Sequence, residues 1–88
     1  MGEEIVVVAL GRDKPGLVAG VTSLIAEAGG NIEDMDQVVL SGIFVMSLVV
    51  KFNESSAKKA ELKKELVREG KKLGLKVQVY ERRVLEVL

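Results

Sequence analysis

Apolar and polar positions alternate along this chain in blocks of two different periods. Glu3 to Leu10, EEIVVVAL, is short and β-branched, which favours a strand over a helix. Ile5, Val7 and Ala9 share one face and Val6, Val8 and Leu10 the other, so both faces are apolar and the strand is expected in the centre of a sheet. Gly11 to Gly16 is a polar loop, with Asp13 or Lys14 at the helix boundary and Pro15 suited to the first helical turn. The period then becomes helical from about Gly16 to Ala28. Leu17, Val21, Leu24, Ile25 and Ala28 make one face, with Val18 at its margin. The outer face, Ala19, Gly20, Ser23, Ala26 and Glu27, carries one charge. Such a bare helix back calls for a cover. Gly29 and Gly30 stop the helix, one of them in the left-handed conformation.

Asn31 to Leu40, NIEDMDQVVL, is extended, and its acids place it at a sheet edge. Ile32, Met35 and Val38 are spaced by three rather than two, which predicts a bulge near Asp34 to Asp36. Ser41-Gly42 is a tight-turn pair, and Ile43 to Phe52 returns as a second central strand, apolar on both faces. Asn53 to Ser56 supplies capping residues for a second helix, Ser56 to Leu73. Its buried stripe is Leu62, Leu66, Gly70 and Leu73, with Ala60 and Val67 alongside, and rows of Glu and Lys or Arg cover the rest. Gly74 ends that helix. Leu75, Val77 and Val79 then alternate with polar residues in an edge strand, and the chain finishes in RRVLEVL.

The order β-α-β-β-α-β, with right-handed crossovers, predicts an α+β fold of the ferredoxin-like class: a four-stranded antiparallel sheet, order 4-1-3-2, with both helices on one face. The 88 residues form one domain, 1–88. A chain this short buries roughly 60% of its unfolded surface, so association with another copy would add needed stability. The two-sided apolar strands, the bare back of the first helix and the apolar tail all point to a homo-oligomer, a dimer or higher.

Composition narrows the chemistry. A formal net charge of zero and a pI near 6.3 give no basic surface for nucleic acid or membrane. The chain has no Cys and no His, which removes thiolate chemistry, the usual general base at neutral pH and the commonest metal ligand. No metal or cofactor is expected, and no catalytic residue. Apolar runs fall short of the ~20 residues of a membrane helix, and no signal sequence begins the chain, so a cytoplasmic location is expected. Glu33, Asp34 and Asp36 form an acidic group, but two carboxylates on a strand are more often solvated than ligating.

The stretch GRDKPGLVAGVTSLIAEAGGNIEDMDQ resembles an ACT domain, the regulatory amino-acid-binding module of this fold. The resemblance is carried by Asp13-x-Pro15-Gly16-Leu17, the apolar helix and Gly30-Asn31-Ile32, and it extends over nearly the whole chain. The size and Phe44-x-Met46 are similar to small stand-alone ACT proteins, related in pattern to the regulator of the glycine cleavage system. The resemblance implies a ligand site between subunits, with Arg12, Asp13, Lys14, Pro15, Gly16 and Leu17 on one side and Asn31, Ile32 and Asp34 of a neighbour on the other. The physical chemistry agrees. Free N–H groups at a helix start suit a carboxylate, and an ionised Asp suits an ammonium group. Serine-binding members carry an amide where Asp13 stands and an imidazole where Gly11 stands, so serine specificity does not carry over.

Three functions follow for comparison: a regulatory module sensing an amino acid or similar small molecule, a ligand-free interaction module acting on a protein partner, and an acylphosphatase-like enzyme. The enzyme needs a phosphate loop that Asp13 burdens with negative charge and Pro15 deprives of an N–H.

Overall fold

The computed structural model of the chain describes residues 3–52 and 56–88. Its elements are β1 (Glu3–Arg12), α1 (Leu17–Glu27), β2 (Asn31–Leu40), β3 (Ile43–Phe52), α2 (Ser56–Lys72), β4 (Leu75–Glu81) and α3 (Arg82–Glu86). The strands form one antiparallel sheet in the order β2-β3-β1-β4, as expected, with the two apolar strands in the middle. The capping loop expected at Asn53 to Ser56 falls, at 53–55, outside the described residues.

The core lies between the sheet and the long helices. Ile5, Val7 and Ala9 of β1 and Phe44, Met46, Leu48, Val50 and Phe52 of β3 meet Leu17, Val21 and Ile25 of α1 and Leu62 and Leu66 of α2, all buried. The smallest dimension of the molecule is 18 Å. That depth holds one sheet and one layer of helices, each about 10 Å across, so the second sheet face is left outside the core. On that face lie Val6, Val8 and Leu10 of β1 and Val45 and Val49 of β3, half-buried or exposed.

The back of α1 is partly accounted for. Gly20 faces Leu73, and a Cβ there would stand 2.8 Å from the Leu73 side chain, so α1 approaches the end of α2 closely. Ala19, Ser23, Ala26 and Glu27 stay exposed. The charged rows of α2 pair along the helix, Arg68 with Glu65 at 3.8 Å and Lys72 with Glu69 at 3.0 Å.

Several details differ from the sequence expectation. β1 runs on to Arg12, because Gly11 and Arg12 continue the ladder opposite Phe44 and Ile43. Pro15 lies before α1 rather than in its first turn, and the helix boundary is Gly16 instead of Asp13 or Lys14. The register of β2 shifts between Ile32 and Asp34, one residue ahead of the expected bulge, which leaves Glu33 as the extra residue. Ala60 and Val67 are exposed, since the buried stripe of α2 narrows to Leu62, Leu66 and Gly70 where the helix rests on β4. The tail forms the short helix α3, which folds back beside β1 and β4.

Candidate functional site

The β1–α1 connection is bonded on one side and lies close to a second turn on the other. The amide of Asp13 donates to the carbonyl of Gly42 at 2.9 Å, tying the loop to the β2–β3 hairpin. That hairpin turns through Ser41 and Gly42 at φ of 49° and 81°, the paired left-handed geometry of a two-residue turn. On the other side Lys14 reaches the α2–β4 turn, with its Nζ 3.4 Å from where a Cβ on Gly74 would stand. The carbonyl end of a helix favours a cation there.

Gly16 sets the entrance to α1. Its φ of 87° is left-handed, and it holds the N-cap position with no side chain to bond the first-turn N–H groups. Its carbonyl accepts the first helical bond, from Gly20 at 2.9 Å. The start of α1 thus presents backbone donors that no capping side chain occupies.

These donors open onto a groove of about 500 Å³. The loop and first turn contribute Asp13, Lys14, Gly16, Leu17, Val18 and Ala19; β2 contributes Gln37, Val38 and Val39; β3 contributes Phe44. One wall carries an anionic and a cationic side chain next to helix-start amides, and the opposite wall carries an amide side chain on apolar ground. Such a groove suits a small molecule bearing both charges.

The expected site residues divide into two groups. Asp13, Lys14, Gly16 and Leu17 line the groove, and exposed Pro15 adjoins it. Arg12 stands at the end of β1, across from Ile43. Asn31, Ile32 and Asp34 lie beyond the far end of α1, whose 11 residues span about 16 Å. One chain therefore does not bring the two groups together. Asn31 donates through Nδ2 to Glu33 Oε2 at 2.7 Å, and Ile32 is half-buried against the core. Asp34 and Asp36 each accept from the N–H of the next residue, both at 2.9 Å, so these acids serve their own edge strand. Among the described residues no three acidic or other ligating side chains gather in a way that would hold a metal ion.

Gln37, Val38, Val39 and Phe44 were not anticipated at the groove. The ladder offers a signal after the fact: Gly11, Phe44 and Val39 stand in one row across β1, β3 and β2, directly below the loop. Gly11 also explains a departure from serine-binding relatives of this pattern. A Cβ at Gly11 would stand 2.5 Å from the backbone oxygen of Gly74, so the α2–β4 turn leaves no room for an imidazole.

Topology and groove together define a split β-α-β domain of the ferredoxin-like class with a groove beside the loop that leads into its first helix. Comparison with known proteins takes the assignment further. The ACT domain family model matches residues 3–80, and the chain belongs to that family, whose members are regulatory small-ligand-binding modules. A UPF0237 protein of Methanopyrus kandleri is 42% identical over 74 residues, covering 84% of this chain and 82% of that one. A UPF0237 protein of Pyrobaculum aerophilum is 41% identical over 78 residues, covering 89% and 87%. An ACT domain protein from Streptococcus pneumoniae superposes with a TM-score of 0.87 at 33% identity, over 100% of this chain and 99% of that one. A putative glycine cleavage system transcriptional repressor shares the fold, with a TM-score of 0.81 at 23% identity over 90% of this chain and 45% of the other.

Proposed function

We propose that this chain is a stand-alone regulatory module, not an enzyme, that binds an amino acid or similarly small zwitterion at a subunit interface. The observation that carries the reading is the groove at the uncapped start of α1, with Asp13 and Lys14 on its wall. The ligand carboxylate would take the first-turn N–H groups, assisted by the helix dipole. The ammonium group would face Asp13, and the side chain would rest over Val39 and Phe44. Asn31, Ile32 and Asp34 would close the groove from a second copy, since their own chain holds them a helix length away. Binding across two copies would favour one subunit arrangement over another, which gives a module without a catalytic group a means of signalling.

The test is a thermal-shift screen of the twenty amino acids, with light scattering on the same samples. An amino acid at about 100 times its Kd stabilises a binder by about 2.7 kcal/mol. No shift with any of them, in a protein that scatters as an oligomer, overturns the reading. That result would favour a second one, an interaction module without a small ligand, which the exposed apolar residues of β2 and of the open sheet face support.

A further inference from the structure

The sheet ends on β2, which pairs with β3 alone. At 10 residues β2 is a long edge strand, and its Met35, Val38, Val39 and Leu40 are exposed. A long, apolar edge of this kind is a template for a further strand. The ladder tells which groups it offers. Ser41 and Gly42 close a two-residue hairpin, so Leu40 and Ile43 exchange both main-chain bonds. At every second position the exchange repeats, between Val38 and Val45, Asp36 and Ser47, and Asp34 and Val49. The residues between them, Met35, Gln37 and Val39, turn N–H and carbonyl outward, away from the sheet. Two of these three outward N–H groups are already engaged. Met35 donates to Asp34 Oδ1 and Gln37 to Asp36 Oδ1, both at 2.9 Å. Upstream, the register shift leaves Glu33 as an extra residue, and its Oε2 accepts from Asn31 at 2.7 Å. Val39 follows Val38, whose side chain has no acceptor to give.

We infer that Asp34 and Asp36 guard the free edge of β2 against strand addition, each by occupying the outward N–H of the residue that follows it. The spacing fits the task. Outward amides recur every two residues along an antiparallel edge, and the two acids recur with the same period, each one residue ahead of its donor. An approaching strand needs those N–H groups for its own carbonyls. Here it would have to break two charge-assisted bonds and then set its carbonyl oxygens beside two carboxylates. The bulge at Glu33 puts the edge out of phase on the other side, a second obstacle to continuous pairing. The guard stops where the groove begins: Val39, whose outward N–H follows no acid, lines the groove with Gln37. The inference goes beyond the ligand reading and constrains it. A second copy that closes the groove meets this edge through side chains, and does not extend the sheet across residues 35–37.

Hydrogen exchange and sedimentation on two variants test it. Asp36→Ala removes one guard at an exposed position. In dilute solution its Gln37 amide should exchange about tenfold faster than in wild type, the loss of one charge-assisted bond. As concentration rises, sedimentation should show species larger than those of wild type, and the Gln37 amide should regain protection, the mark of pairing through this edge. Asp36→Asn keeps an acceptor at the same place without the charge, and should retain wild-type exchange and size. A Gln37 amide in Asp36→Ala that exchanges at the wild-type rate overturns the inference, as does an Asp36→Ala protein of wild-type size at every concentration. Association of Asp36→Asn to the same extent as Asp36→Ala also overturns it, because repulsion between charges would then be the guard and not the bond. The unaltered chain supplies a check that needs no variant. Gln37 and Val39 both point their N–H groups outward, and the Gln37 amide should exchange more slowly than that of Val39; equal or reversed rates, corrected for sequence, overturn the inference.

Discussion

The backbone amide of Asp13 donates to the carbonyl of Gly42 at 2.9 Å, joining the loop that precedes the first helix to the hairpin between the second and third strands. The bond uses main-chain atoms on both sides. It therefore depends on the shape of each turn and not on the Asp13 side chain, which is left facing the groove.

Gly42→Ala should test the hairpin's part in this. At φ 81° the position has open space for a Cβ but the wrong backbone region for an L-residue. The expected cost is about 1 kcal/mol in urea unfolding, together with weaker protection of the Asp13 amide in hydrogen exchange. Unchanged Asp13 protection would show that the loop holds its shape without the hairpin.

Asp13→Asn restores the amide of serine-binding ACT domains without changing side-chain size. The position is exposed, so stability should stay within about 0.5 kcal/mol of wild type. Any amino-acid-dependent thermal shift should shrink, because the carboxylate that would pair with the ammonium group is gone. A larger shift would mean that the ligand presents acceptors to this position.

Gly11→His should behave quite differently. The backbone oxygen of Gly74, 2.5 Å from the new Cβ, cannot rotate away as a side chain would. Overpacking of this kind costs about 1–3 kcal/mol or more. A thermal melt close to wild type would show that the α2–β4 turn yields readily.

Gly16 to a bulky residue should abolish any amino-acid shift. The φ of 87° makes the substitution strained although no atom lies within 4 Å of the new Cβ. The oligomer, read by light scattering, should persist. Loss of folding would assign Gly16 a purely structural role.

Glu69 offers a test in pH. A hydrogen bond from Lys72, with the charges of Lys72 and Arg68, holds its carboxyl below the ordinary carboxylate range, against a smaller opposing effect of burial. A lowered folded-state pKa contributes stability above the unfolded value and loses it as pH falls through the folded value. Lys72→Ala should raise the Glu69 midpoint in an NMR titration toward its ordinary value. High salt should have a similar effect, since the pair is exposed.

Most of the fold was legible because strand and helix periods were unmixed: Ile5, Val7 and Ala9 alternate cleanly, and Leu17, Val21 and Ile25 repeat every four. What the pattern misplaced was decided by contacts between distant elements. Val67 looks like a margin of the buried stripe, yet β4 lies under Leu66 and Gly70 and leaves it in solvent. The tail RRVLEVL is too short to carry a helix signal of its own, and α3 exists where it meets β1 and β4. Asp13, Lys14 and Gly16 could be read as a candidate site from turn and helix-start chemistry. Gln37 and Val39 could not, because their place at the groove depends on where α1 crosses the sheet.

The β1–α1 connection is tied to the β2–β3 hairpin through Asp13 and runs beside the α2–β4 turn at Lys14. A tie made through main-chain atoms tolerates a change of residue far better than a change of length. An inserted residue between Arg12 and Leu17 would loosen the Asp13–Gly42 bond and shift the start of α1, while the interleaved strand order β2-β3-β1-β4 keeps the sheet joined. Inserting a single glycine there should loosen the loop and the groove it lines, whereas the same insertion at Gly29-Gly30 should cost more, because Gly30 packs against Val50 and Ile25 and leads directly into β2.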